Sequence, residues 1–335
     1  MISSVRSADH ILLIGFGGPE GPEDLDPFLA EVTRGMAIPP ARIAEVKHHY
    51  EAVGGRSPYN EYMFRLADRL IARLRSHGVW LPVFLGMRNW HPYLRHVTEE
   101  IKREGFNQGI GLILAPHRSD SSFDKYIRNV EEAKVFANAA GLTYEYLPAW
   151  FNHPGFVAAQ AAQIQPLVAD LTAAERESTV LVFCAHSIPA SMAQRCQYAE
   201  EFECTSRLVA QELCWENWQM AYQSRSGRPS DPWLEPSVER VLEELAQSGT
   251  KNVILVPVGF LCDNVEVLFD LDVEAKAAAD KLGIAFARAS TVMDHPLFVD
   301  MLAEEIEGMI QLPRRLPLTQ AIVEQTRGLA PITAV

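Results

Sequence analysis

The sequence predicts an α/β fold made of two similarly built halves, each a four-stranded parallel sheet flanked by helices, with a cleft between them. Three observations carry this prediction. Eight short apolar runs alternate, for the most part, with longer segments of helical periodicity, the pattern of parallel sheets. The runs are apolar throughout rather than at every second residue, as strands covered on both faces are. Two strings also recur at almost one offset: LILAP (112–116) returns as VILVP (253–257) after 141 residues, and HPGFV (153–157) returns as HPLFV (295–299) after 142.

In chain order the strand candidates are HILLIGF, LPVFLGM, IGLILAP and YEYLPAW, then TVLVFCA, WQMAYQS, NVILVPVGF and FARASTV. NEYMFRLADRLIARLRSHG and PSVERVLEELAQSGT are the clearest helices between them. The repeated strings fall at the third strand of each half and just after the fourth. This places one half at 1–170, the second at 171–312 and a proline-interrupted tail at 313–335. His153 and His295 recur in both halves, which points to a shared structural turn.

Composition narrows the function. The 335 residues carry a net charge of −13, so a non-specific grip on nucleic acid or anionic lipid is not expected. There is no apolar stretch of spanning length and no export-signal pattern at the N-terminus. The five cysteines therefore read as reduced thiols of a cytoplasmic protein, a monomer or weak dimer.

In open α/β sheets ligands sit beyond the carboxyl ends of the strands. The first strand ends in GFGGPEG. Gly15 and Gly17 fit a dinucleotide loop, but Glu20 stands where a third glycine belongs and would repel a pyrophosphate. A tight turn with Pro22 and Glu23 opening a helix is the alternative. The fifth strand ends in CAHSIP. His186 there is either a base acting near neutral pH or a histidine that closes a turn. No G-x-S-x-G surrounds Ser187, and neither H-E-x-x-H nor paired C-x-x-C occurs, so hydrolase and zinc chemistry have no support.

The seventh strand leads into CDNVEVLFDLDVEA, which holds five carboxylates. Glu266, Asp270 and Glu274 are spaced i, i+4, i+8. On an α-helix such a row drifts by about 80° over its length, and a π-type widening aligns it better. The row is either a solvated acidic face or a track of oxygen ligands for a divalent cation. Interleaved Val265, Val267, Leu268, Phe269 and Leu271 favour partial burial. A base on one side of a cleft and a carboxylate track on the other suit metallation of a porphyrin, in which two N–H protons leave and one divalent metal enters.

These residues resemble the ferrochelatase family over nearly the whole chain. The resemblance rests on GFGGPEGPEDLDPFL, HYEAVGGRSPYNE, GMRNWHPY, APHRSDSSFDKY, AHSIP, YQSRSGRPSDPWLEP and CDNVEVLFDLD in that order. It implies two Rossmann-like halves around a porphyrin cleft and insertion of Fe2+ into a porphyrin without nucleotide. It assigns His186 as proton acceptor or metal ligand, Glu266 as its partner across the cleft, and Asp270 and Glu274 as the row guiding metal or protons. Phe16, Arg34, His49, Tyr50, Ser57, Arg88 and Tyr126 fall where the porphyrin and its propionates are contacted. Arg34 and Arg88 are suited to bidentate carboxylate pairing.

Two departures stand out. The family usually carries Ser-Asp-His-x-Glu at the seventh strand end, and this chain has Asn264 in the histidine's place. Some relatives place a tyrosine where this chain has Phe16. VEVLFDLD resembles the branch that uses coproporphyrin III more than the IETLYELD of protoporphyrin IX users, so coproporphyrin III is the favoured substrate and protoporphyrin IX the runner-up. Iron is substrate, and no cofactor is required. Cys196, Cys204 and Cys214 fall short of the four thiolates a 2Fe–2S cluster normally takes, so no cluster is expected. Outside this family, a cobalt or nickel chelatase and a non-catalytic tetrapyrrole- or metal-binding protein remain open alternatives.

Overall fold

The computed structural model describes residues 8–226 and 230–310; the tail expected at 313–335 lies outside the described residues. All eight strand candidates form: β1 (His10–Gly15), β2 (Val83–Met87), β3 (Gln108–Ile113), β4 (Thr143–Tyr146), β5 (Thr179–His186), β6 (Trp218–Gln223), β7 (Asn252–Val256) and β8 (Ala285–Arg288). They make two sheets with one topology, β2-β1-β3-β4 and β6-β5-β7-β8. Every pairing is parallel.

The unbroken apolar character of the strands has a simple cause. Successive side chains point to opposite faces, and each sheet has a packed layer on both. Ile11 and Leu13 of β1 enter one core while Leu12 and Ile14 enter another. In the second sheet Leu181 and Phe183 face one layer, Val180 and Val182 the other.

The repeated His-Pro strings are helix starts. The His153 Nδ1 accepts from the Gly155 N–H at 3.0 Å, capping the Pro154–Val168 helix. His295 does the same for the Pro296–Met309 helix, accepting from Leu297 at 3.3 Å. Proline in the first turn suits both, since its missing N–H would have no helical partner.

These two helices cross between the halves. The Pro154–Val168 helix follows β4, yet Val157, Ala161, Ile164 and Val168 join the core of the second sheet. The Pro296–Met309 helix follows β8, yet it packs on the Tyr59–Ser76 helix and in the core of the first sheet. Trp150, Phe156 and Phe298 meet there with ring centroids 4.9–5.9 Å apart. Leu261 and Cys262, just after β7, are buried in that same core.

An ionic clamp reinforces the crossing. Asp294 is 4% exposed. It accepts from Arg65 Nη2 at 2.6 Å and pairs with Arg69 Nε at 2.8 Å, both on the Tyr59–Ser76 helix. Removing one partner from such a buried carboxylate site is costly because the remaining charges lose their counterion. Asp294→Ala is expected to lower unfolding free energy by about 1–3 kcal/mol, less than for a fully buried pair because both arginines reach solvent. Urea denaturation checks this, with a lower midpoint at unchanged slope as the expected outcome.

Candidate active site

The carboxyl ends of the strands open on a cavity of about 510 Å³, within the range of small-molecule sites, about 300–1,000 Å³. Both halves contribute to its wall. Phe16, Tyr50, Ser57, Arg88 and Tyr126 line it from the first half, and His186 and Glu266 from the second.

The glycine turn after β1 is closed to a phosphate. The Phe16 N–H donates to Tyr59 Oη at 2.8 Å, and the Gly18 N–H donates to Asn60 Oδ1 at 3.0 Å. Asn60 Nδ2 in turn donates to Glu20 at 2.9 Å. Two of the amides that a pyrophosphate would take are already used by side chains of the Tyr59–Ser76 helix. Pro22–Asp24 then forms a short 3-10 turn leading into the Leu25–Val32 helix, as the alternative reading of this stretch has it.

At the end of β5, His186 is fixed from three sides. Its Nδ1–H donates to the Ser187 carbonyl, which leaves Nε2 as the nitrogen that gains and loses a proton. Its own carbonyl accepts from Tyr198 Oη at 2.8 Å. Its Nε2 lies 3.3 Å from Glu266 Oε1, with the two side chains 31% and 37% exposed.

This corrects the expectation that His186 and the acidic row face each other across the cleft. The sheet order places β5 beside β7, so their ends emerge together. The loop after β7 lies directly on the end of β5: the Gly259 N–H donates to the Cys184 carbonyl at 3.1 Å. A Cβ at Gly259 would sit 2.7 Å from the Ala185 Cα, closer than real contacts allow.

The acidic stretch divides cleanly. Asp263 and Asp272 are structural, both gripped by Arg288 of β8. Arg288 Nε donates to Asp272 Oδ1 at 2.6 Å and Nη1 donates to Asp263 Oδ1 at 3.2 Å. Glu266, Asp270 and Glu274 form the row. Val265–Phe269 is α-helical and Asp270–Ala275 is a π-helix. The α step from 266 to 270 over-rotates; the wider π turn rotates each residue less, so the step to 274 drifts back. The row runs from the cavity at Glu266 to exposed Glu274.

Asn264 has a defined task. Its Oδ1 accepts from the Val267 N–H at 3.0 Å and caps the helix. Its Nδ2 donates to Glu266 Oε2 at 3.3 Å. Glu266 is thus held through both oxygens, and Gln223 Nε2 holds its backbone carbonyl at 2.8 Å.

The electrostatics follow from these contacts. Burial disfavours charge on the His186 imidazole, but the Glu266 carboxylate outweighs it and His186 stays protonated above the ordinary imidazole range. Burial likewise pushes Glu266 up, yet His186 and Asn264 bring it below the usual carboxylate range. The pair therefore holds a proton on the imidazole. Burial, helped by Glu266 and Glu274, pushes Asp270 up to about 7 against a hydrogen bond from Ser224. Burial also raises Glu274.

Not every expected residue reaches the cavity. His49 does not line it; its ring stacks on Phe269, centroids 3.9 Å apart. Arg34 pairs with Glu31 and lines an adjoining side cavity. Arg88 lies over the rings of Tyr126 and Phe16, 4.9 and 5.5 Å from their centroids. Trp90 and Tyr93 pack the exit of β2 with Phe28 and Tyr50. His117 lines the cavity but is buried against Thr205 at 3.0 Å, and burial lowers it to about 3. Among the described residues, no three His, Cys, Asp or Glu side chains converge to hold a metal ion. His186, Glu266, Asp270 and Glu274 are strung along a path instead.

Two like-built parallel sheets of this order define a chelatase-type fold. SirB from Bacillus subtilis, solved with Fe3+, superposes with a TM-score of 0.55 at 10% identity over 91% of this chain and 96% of its own. DR2241 from Deinococcus radiodurans, described as similar to chelatases, has the same score at 15% identity, over 92% of this chain and 56% of its own. Those likenesses establish the fold. The ferrochelatase family model matches residues 8–309, and the chain belongs to that family. Curated relatives include a ferrochelatase from Rhodopirellula baltica, 37% identical over 92% of this chain and 87% of its own length. Coproporphyrin III ferrochelatases from Streptomyces griseus (40%, 88% and 85%) and Mycolicibacterium smegmatis (38%, 92% and 92%) are similarly related.

The coupling of His186 to Glu266 has a direct readout. In an NMR titration, His186 is expected to titrate above the ordinary imidazole value of about 6.5. Glu266→Gln should bring it down, because the neutral amide no longer favours the imidazolium. Asn264→Asp keeps the capping oxygen but replaces a donor with a second carboxylate, and should raise it further.

Proposed function

We propose that the cleft binds a porphyrin, coproporphyrin III by preference, and inserts Fe2+ into it. The observation that carries this reading is the His186–Glu266 pair, 3.3 Å apart on the wall of a largely apolar cavity. Insertion takes two protons from pyrrole nitrogens and leaves the metal in their place. His186 Nε2, deprotonated, accepts one proton, passes it on and then accepts the second, and Glu266 stabilises the imidazolium formed each time. Asp270, poised at about 7, relays it along the row toward exposed Glu274. The same carboxylates attract the incoming cation, and its passage relieves their mutual repulsion.

Arg88 and Tyr126 hold the rim of the macrocycle, Phe16 packs on it, and Tyr50 and Ser57 border it from the side of the first half. The kinship with coproporphyrin III ferrochelatases supports the four-propionate substrate. In this reading iron is a substrate, the protein keeps no resident cofactor, and the reaction takes place in the cytoplasm.

Mixing the protein anaerobically with Fe2+ and coproporphyrin III or protoporphyrin IX should convert the free-porphyrin spectrum to that of the metallated product, faster with coproporphyrin III. No metallation of either would refute the proposal. His186→Ala should abolish turnover while leaving the fold intact by circular dichroism.

The acid limb of the pH–rate profile should lie above about 6.5, because His186 must lose its proton before it can accept another and its folded value is raised. Activity therefore rises as pH climbs through that value. Any residual activity of Glu266→Gln should show the limb displaced to lower pH.

A further inference from the structure

The Tyr198–Glu212 helix of the second half buries a polar face. Tyr198, Glu201 and Thr205 follow at helical spacing on one side of it, and they are 6%, 5% and 0% exposed. A buried carboxylate and a buried hydroxyl are costly unless they are hydrogen-bonded, so their partners show what this face is for.

Those partners belong mostly to the first half. The Arg118 N–H, in the loop after β3, donates to Glu201 Oε2 at 2.7 Å. Thr205 Oγ1 donates to the carbonyl of Phe151, after β4, at 2.8 Å. His117 Nε2 lies 3.0 Å from the same hydroxyl oxygen. Thr205 has one hydroxyl hydrogen and a carbonyl takes it, so His117 donates from Nε2; burial keeps that imidazole neutral. The helix is thus fastened to the exits of β3 and β4.

The remaining contact of the face runs to the base. Tyr198 Oη donates to the His186 carbonyl at 2.8 Å, and its ring stands edge-on to His117, centroids 5.9 Å apart. The peptide between His186 and Ser187 is pinned from both sides, since the Ser187 N–H donates to the Gln223 carbonyl at 2.7 Å. Turning that peptide would displace the Ser187 carbonyl, the acceptor for the His186 Nδ1–H.

We propose that this helix face sets the distance of His186 from the first-half wall, with Tyr198 as a positioning residue for His186 and Glu201 and Thr205 as its anchors on the loops after β3 and β4. The inference rests on the porphyrin reading. There Phe16, Arg88 and Tyr126 seat the macrocycle on the first half, while the base that takes its protons stands on the second. Proton transfer requires hydrogen-bond reach between them, and a misplacement of about 1 Å can cost about 100-fold in rate. A rigid link from one wall to the base holds that gap.

The test measures kcat and KM for metallation of coproporphyrin III in the wild-type protein, Tyr198→Phe, Thr205→Val, Thr205→Ser and the double variant Tyr198→Phe/Thr205→Val, with the fold of each checked by circular dichroism. Tyr198→Phe keeps the ring and removes only the hydroxyl. It is expected to lower kcat by about tenfold while KM stays within about twofold. Thr205→Val should lower kcat by about fivefold at similar KM, and Thr205→Ser, which keeps the hydroxyl, should restore most of it. Because both residues act through one helix, the double variant should be slower by about tenfold, short of the roughly 50-fold that independent effects would give. Unchanged kcat in both single variants, a KM that rises in step with the loss, or losses that multiply would each overturn the positioning role. If Thr205→Val does not fold, Tyr198→Phe decides alone by the same split between kcat and KM. If the wild-type protein metallates neither porphyrin, it is the porphyrin reading that fails, and the two failures are thereby distinguished.

Discussion

The site depends on one pairing: β5 lies directly beside β7, parallel and in register from Thr179–Asn252 to Phe183–Val256. Parallel neighbours release their chains on the same side, so a histidine at the end of one and a carboxylate just past the end of the other must meet. Gly259 sharpens the meeting by letting the loop after β7 rest on the backbone of β5. The equivalent pair in the first sheet, β1 and β3, delivers Phe16 and the Leu114–His117 segment to the same cavity. Base, carboxylate and aromatic wall are therefore products of sheet order before any side chain is chosen.

The charge problem in CDNVEVLFDLDVEA is solved by division of labour. Arg288, 14 residues beyond the row's last glutamate, binds Asp263 and Asp272 and fastens the approach to the α–π segment and its π turn to the sheet. Glu266, Asp270 and Glu274, which Arg288 does not hold, are left to line the path. Asn264 fits this arrangement. An imidazole there can cap the helix through Nδ1, as His153 and His295 do elsewhere in the chain. An amide caps and also donates to Glu266, without adding a titrating group beside the pair.

Much of this was legible in the sequence because it depended on periodicity and chain order. The eight strands follow from apolar runs, the two halves from LILAP/VILVP and HPGFV/HPLFV, and the π-widening from acids four residues apart. The position of His186 relative to the row was misjudged, because order along the chain does not state which strands are neighbours. His49 shares a helix with Tyr50, but only Tyr50 turns inward; the Pro40–Ala52 helix lacks a clear apolar stripe, so the sequence does not fix which face points in. Arg288 reads as one polar residue in an apolar strand, and its two partners lie 16 and 25 residues upstream. Gln223 and Ser224 sit inside the YQSR string that carries the family likeness, yet the string alone does not show that they hold Glu266 and Asp270.

The crossing of the two terminal helices bears on how a flat, rigid ligand gets in. Each half seals its core with a helix that follows the other half's last strand, and Leu261 and Cys262 are plugged into the opposite core. A clamshell motion would have to pull Phe156 and Phe298 apart and expose both cores together. The jaws of this protein are welded at the hinge. Admission and release must then be managed by the lips, where Met36 and Phe136 stand half-exposed at the side entrance. The core packing that joins the halves therefore also sets the width of the slot between them.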